Sequence, residues 1–192
     1  MPPMRRPVPA QRLEDEVIAL VRPDMALVPQ MQAALTESYE MHRQFLPWAT
    51  PSPSLETVAA HMAKAIENYA RQETEYRYLI LRRSDGRLVG CIGVLLHESD
   101  PKAYEVGYWA RTGEHRKGYV SRAVALMCAH VATTLHAPSL TLKTVCSNAA
   151  SRAVAERCGF VLEERLEDAR LLGDGTHDET LVYRKHFVTP AL

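Results

Sequence analysis

The stretch Tyr104–Ser121, YEVGYWARTGEHRKGYVS, decides the fold. It begins as a strand, passes through a turn with glycine and a basic cluster, and opens a helix. Such a junction suits a phosphate, because a helix N-terminus presents unpaired N–H groups and a partial positive charge. Gly118 lets backbone approach a ligand, and Arg116 and Lys117 add two cations. A dinucleotide fingerprint needs G-x-G-x-x-G. Here Gly113 and Gly118 stand too far apart and no third glycine follows. A P-loop would need Lys and Ser/Thr where Tyr119 and Val120 stand, so nothing would reach a γ-phosphate or hold magnesium. On this stretch alone, a glycine turn with a solvated basic face remains open beside an anion loop.

The chain has 192 residues, which fits one domain with a substantial core. Residues 1–12, rich in proline, are expected to form a disordered or extended arm, and residues 13–192 a single domain. The 23 basic and 23 acidic residues cancel, which argues against general nucleic-acid or anionic-membrane binding. No apolar run is long enough to span a bilayer, and the N-terminus lacks the apolar segment of a signal peptide. Cys91, Cys128, Cys146 and Cys158 lie far apart with no C-x-x-C, and the eight histidines show no ligand spacing. The expectation is buried thiols in a reducing cytoplasm and no metal.

Read in order, Glu16–Val21 is a strand, and Asp24 caps a helix to about Ser38 with Leu27, Met31 and Leu35 on one stripe. Phe45, Leu46 and Trp48 then sit among helix-breaking prolines, as core filler or as a pocket wall. Ser54 caps a second helix with Val58, Met62, Ile66 and Tyr69 on its apolar stripe. Strands are expected at Glu75–Arg83 and Leu88–Glu98, joined by the Ser84–Arg87 turn, and at Ala103–Ala110. A helix runs from Tyr119 to about His136, followed by a strand at Leu140–Cys146. Ser147 or Asn148 caps a short helix to Cys158, closed by Gly159. Val161–Arg170 and His177–Phe187 form a closing hairpin. This order implies a mixed α/β fold, with a sheet of about seven strands flanked by helices.

Five segments resemble the GNAT acetyltransferases, and within them the RimJ/RimL-like branch. His115–Val120 resembles the pyrophosphate loop Q/R-x-x-G-x-G/A. Glu105-Val106-Gly107-Tyr108-Trp109 matches the E-I-G-Y-W strand, and residues 147–160 match the N-x-x-S…G-F segment. Phe45–Trp48 resembles the loop before the second helix, and Asp174–Tyr183 the D-G…H-D…Y hairpin. Together they cover about residues 16–187 in the right order.

The resemblance implies the GNAT fold, with splayed parallel strands at an acetyl-CoA site. It implies direct N-acetyl transfer from acetyl-CoA to a primary amine, without metal or covalent intermediate. The acceptor would be a protein N-terminus or a small molecule, and the protein would be cytoplasmic; a homodimer is compatible with this branch. Two rivals stay open: a transferase of another acyl-CoA on the same fold, and a non-catalytic acyl-CoA-binding module. The cofactor would meet the backbone of Tyr108, Trp109 and Ala110, the loop His115, Arg116, Lys117, Gly118, Tyr119, Val120 and Ser121, and Asn148. Glu105 is expected as general base, and Ser151 as donor to the thioester sulfur. The helical slot where many relatives carry a tyrosine donor is Ala155 here. His115 and Val120 depart from the loop pattern, which implies a working CoA site of unexceptional affinity. His42, Trp48, Asp178 and Tyr183 are expected to bind the acceptor, together with Glu105.

Overall fold

The computed structural model describes residues 7–187 except 73, 98, 99 and 101, and at 168 and 169 the backbone alone. Residues 1–6 of the expected arm, Glu98 at the end of one expected strand, and residues 188–192 of the expected domain lie outside the described residues. The strands are β1 (Arg12–Glu14), β2 (Ile18–Val21), β3 (Glu75–Arg82), β4 (Leu88–Leu96), β5 (Tyr104–Ala110), β6 (Ser139–Val145), β7 (Val161–Leu171) and β8 (His177–His186). The helices are α1 (Val28–Glu37), α2 (Tyr39–His42), α3 (Leu55–Arg71), α4 (Tyr119–Thr133) and α5 (Ala149–Arg157). One eight-stranded sheet runs β1-β2-β3-β4-β5-β6-β8-β7. The eighth strand is β1, whose three mostly polar residues carry no apolar alternation; it forms by pairing antiparallel with β2. Just before it, the carbonyl of Ala10 accepts from the hydroxyls of Tyr69 and Tyr78, each at 2.6 Å.

Helix starts follow local chemistry. Asp24 accepts from the Ala26 N–H at 2.9 Å, Ser54 from Thr57 at 3.1 Å, and Asn148 from Ser151 at 3.0 Å. A 3₁₀ turn at Met25–Leu27 follows Asp24, so α1 proper begins at Val28. The α3 stripe differs from expectation at one place: Ile66 is exposed, and the buried residues are Val58, Met62, Ala65 and Asn68. At about 100° per residue, Ala65 lies about 20° from Val58 around the helix, whereas Ile66 lies about 80° away.

Helices cover both faces of the sheet. On one face, α4 sets Val124, Met127 and Val131 against Tyr76, Tyr78, Ile80, Ile92 and Val106. Burying each of those three α4 side chains contributes about 1.5–3 kcal/mol. On the other face, Val28, Met31 and Ala34 of α1 and Val58 and Met62 of α3 pack on Leu79, Leu88 and Cys91. The central strands therefore bury side chains in both directions, and β3 and β4 read as apolar runs.

Every neighbouring pair is antiparallel except β5 and β6. Their parallel register holds only at Glu105↔Thr141 and Val106↔Leu142. Beyond it β5 stays with β4 as far as Ala110, and β6 stays with β8 as far as Val145. The sheet splits between them. The hairpin of β7 and β8 closes over the same side, its tip resting on the segment after α2. There the Gly173 N–H donates to the Gln44 carbonyl, and a Cβ on Gly173 would stand 1.6 Å from the Arg43 carbonyl oxygen. Gly173→Ala should therefore lower Tm by roughly 2–12 °C in thermal unfolding, corresponding to an overpacking cost of about 1–3 kcal/mol. An unchanged Tm would show that the tip does not rest there.

Candidate active site

The split exposes backbone that an intact sheet would use. The Arg111 N–H bonds the Val89 carbonyl, so main-chain groups of odd-numbered residues on β5 turn toward β4. Those of Tyr108 and Ala110 turn into the gap, while those of Trp109 are spent on β4. Of the gap-facing groups, the Ala110 carbonyl is already taken. His42 Nε2–H donates to it at 2.9 Å. The His42 ring is buried and stands 5.0 Å from Trp109, and burial chiefly holds it below the usual imidazole range, hence neutral. The backbone positions left to pair a ligand are therefore both groups of Tyr108 and the N–H of Ala110.

A cleft of about 630 Å³ runs through the split. Its walls include Gly107, Tyr108 and Trp109 of β5, Lys143 and Val145 of β6, Asn148 and Ser151 of α5, and Phe45, Leu46 and Trp48 before α3. A Cβ built on Gly107 meets nothing within 4 Å, so the missing side chain widens the cleft. Glu105 also lines it, with its carboxylate 2.9 Å from Lys143 Nζ, where the two parallel strands part. Cys91 is a wall residue as well. Burial pushes its thiol up to about 12, which leaves it protonated and a poor nucleophile.

Beside the cleft, α4 starts from a loop with three left-handed residues: Gly113 (φ 80°), Arg116 (φ 58°) and Gly118 (φ 81°). Gly118 is the N-cap and offers no side chain, so the first-turn N–H groups of Tyr119, Val120 and Ser121 keep their donor capacity. Space around a Cβ at Gly118 is open as well. These amides and the open glycines fit a phosphorylated, thread-like ligand. The loop is pinned from beneath by Glu114, whose carboxylate is 6 % exposed and meets Arg82 at 3.2 Å, Arg87 at 3.0 Å and Lys117 at 2.9 Å. Lys117 is thereby committed to the loop's own framework. His115 and Arg116 are exposed, and Val120 is half-buried against the core under α4.

At the other lip, Asn148 caps α5, and Ser151 in the first turn stands 2.9 Å, Oγ to OH, from Tyr108. Ala155, one turn on, is fully buried. Of the expected acceptor residues, Glu105 and Trp48 line the cleft, the Trp48 side chain largely exposed. The others do not join it. His42 lies behind Trp109. Tyr183 is buried under α5, its hydroxyl 3.4 Å from Glu156. Asp178 accepts from the Ser147 N–H at 2.8 Å and so fixes the entry to α5. Asp178 and Tyr183 were candidates by motif and His42 as a pocket residue, but each is used inside the fold. Sequence reading missed the cleft residues Arg77, Lys143 and Arg170 and the anchor Glu114. Lys143 was legible in principle, being the polar position between Leu142 and Thr144 on a strand beside Glu105. Among the described residues, no group of three or more His, Cys, Asp or Glu side chains is placed to hold a metal ion, and no helix is long and apolar enough to cross a membrane.

Comparison with known proteins matches residues 18–161 to the acetyltransferase (GNAT) domain. The ribosomal-protein-serine acetyltransferase of Escherichia coli K12 is 28 % identical over 117 residues, spanning 61 % of this chain and 65 % of that protein. The chain thus aligns to just under two thirds of the relative's length. Among solved structures, RimL, a ribosomal L7/L12 alpha-N-protein acetyltransferase in complex with coenzyme A, superposes with a TM-score of 0.83 at 22 % identity, over 92 % of this chain and 98 % of that one. The microcin C7 self-immunity acetyltransferase MccE, in complex with acetyl-CoA and AMP, superposes with a TM-score of 0.82 at 18 % identity, over 90 % and 94 %. Both likenesses are of fold.

The Glu114 anchor has a pH signature. Burial works to raise its carboxyl, but Lys117, Arg82 and Arg87 prevail and hold it below the ordinary 4.5. Its stabilisation is therefore present above about pH 4.5 and is lost as pH falls through the depressed folded value. Glu114→Gln should lower Tm by about 4–8 °C at neutral pH, from about 2 kcal/mol for breaking a partly exposed cluster. The difference from the unaltered protein should shrink steadily below pH 4.5. A difference independent of pH would rule out the charge cluster as its source.

Proposed function

The chain belongs to the GNAT acetyltransferase family, and from that premise we propose that it transfers an acetyl group from acetyl-CoA to a primary amine, most readily the α-amine of a protein chain. The observation that carries this reading is the two-rung parallel pairing of β5 and β6, which opens a cleft directly beside the uncapped start of α4. The amides of residues 115–121 would hold the pyrophosphate, since backbone donors do not depend on the side chains of His115 and Val120. The Tyr108 carbonyl and the Ala110 N–H would pair with the pantetheine amides as an added strand does. Bound acetyl-CoA supplies an activated acetyl thioester.

The protein's own groups meet the remaining needs. Glu105 takes the proton of the attacking amine, directly or through water. The remaining gap-facing donor, the Tyr108 N–H, supports the developing oxyanion. Ser151 donates to the departing sulfur. Transfer is direct, because the Cys91 thiol in the wall is held protonated by burial. A protein acceptor is favoured by the names of the relatives and by the rim of the cleft, where Trp48 (53 % exposed) and Leu95 (44 % exposed) offer apolar surface to a peptide.

Thermal unfolding with acetyl-CoA tests the cofactor, with ATP and NAD as controls. At a hundredfold excess over Kd, binding adds about 2.7 kcal/mol, a rise of roughly 5–11 °C. Gly107→Val, whose Cβ has no neighbour within 4 Å and whose methyls narrow the cleft, should keep Tm and lose that rise. With a peptide acceptor, Glu105→Gln should reduce kcat/KM at least about 10²-fold, followed by thiol release. Full activity in Glu105→Gln would remove Glu105 from the mechanism, and a rise with ATP or NAD equal to that with acetyl-CoA would remove the cofactor assignment.

A further inference from the structure

We propose that the phenol of Tyr108 is a positioning residue that aims the Ser151 hydroxyl at the thioester sulfur, a role that rests on the acetyl-CoA reading above. Tyr108 leaves β5 at the split and crosses the gap to α5. Its hydroxyl stands 2.9 Å from Ser151 Oγ and 3.4 Å from the Ser151 carbonyl. Both residues line the cleft. The competing use of a first-turn serine, capping its own helix, is already filled: Asn148 accepts from the Ser151 N–H at 3.0 Å.

The geometry admits two polarities. In one, Ser151 donates to the phenol and the phenol donates to the Ser151 carbonyl, so both hydrogens are used internally. In the other, the phenol donates to Ser151 Oγ and the serine hydrogen is free to point into the cleft. A sulfur gaining negative charge selects the second, because a donor to an anion forms the stronger bond. As the new C–N bond forms, the C–S bond breaks with its electron pair on sulfur. The amine's proton leaves to Glu105 or water, and Ser151 keeps its own proton while donating to sulfur. Burial pushes the Tyr108 phenol up to about 12, so it retains its hydrogen at any pH at which the amine reacts. Ala155, one turn further along α5 and buried, has no donor to stand in.

Free coenzyme A is a sufficient probe, since a donor aimed at sulfur favours its thiolate. The thiol of bound coenzyme A is titrated by thiolate absorbance over about pH 6 to 10, with the full chain and with Tyr108→Phe, Ser151→Ala and the double variant. Tyr108→Phe and Ser151→Ala should each raise the ionisation midpoint by about one unit, tenfold in the acid constant. The double variant should go no further than Ser151→Ala, and affinity at the acid end, where the ligand is a neutral thiol, should stay within about twofold. An unmoved midpoint in Tyr108→Phe, or shifts that add in the double variant, would overturn the proposal. If Tyr108→Phe does not fold, an unmoved midpoint in Ser151→Ala overturns it equally. Coenzyme A failing to bind the unaltered chain would instead overturn the acetyl-CoA reading, and the two failures are distinct.

Discussion

The structure depends on one short contact: two residues of β5 paired in parallel with two of β6. Each strand has a stronger commitment elsewhere, β5 to β4 over seven residues and β6 to β8 over seven. Neither can follow the other without abandoning that partner, so the sheet parts where the shared register ends. The Glu105–Lys143 ion pair lies at this fork. A broken sheet would ordinarily strand polar backbone, at a cost of about 1–3 kcal/mol for each unmade bond. Here the Ala110 carbonyl is satisfied by His42 and the rest face an open cleft. What would be a fault in a closed sheet serves as a ready strand edge for a ligand with amides of its own.

The anion loop shows how charge is divided between framework and function. Under the loop, three cations, Arg82, Arg87 and Lys117, converge on the single carboxylate of Glu114. This fixes the left-handed turn at Arg116 and Gly118 that delivers the start of α4. In the proposed function, phosphate recognition falls to backbone N–H groups, which carry no net charge and are already fixed in place. Conservative side-chain change at His115 or Val120 is tolerable for the same reason. The hairpin of β7 and β8 is seated by its glycine tip on Arg43 and Gln44, with Trp48 at the rim of the cleft.

Much of this was legible in the sequence. Element order, the caps at Asp24, Ser54 and Asn148, and the strand–loop–helix junction at Tyr104–Ser121 all follow from local chemistry, and the mixed sheet follows from their order. Local chemistry did not reveal β1, because three mostly polar residues at an edge gain their structure only from β2. Nor did it separate residues that face the cleft from residues that merely share a motif with it. His42, Asp178 and Tyr183 have side chains suited to binding, and each is consumed by a contact distant in sequence: His42 by Ala110, Asp178 by Ser147, Tyr183 by Glu156. Tyr108 shows the converse. Its backbone was readable as a ligand edge, whereas its phenol meets Ser151 only because the split brings α5 across the gap.

The fork and the loop make a single claim together, that a phosphorylated thioester carrier threads the gap from α4 to Glu105. A crystal structure with coenzyme A tests this most directly. The account predicts the pyrophosphate on the amides of residues 115–121 and the pantetheine arm between β5 and β6, hydrogen-bonded to Tyr108 and the Ala110 N–H. Coenzyme A seated elsewhere, with the gap between the strands left to solvent, would contradict it.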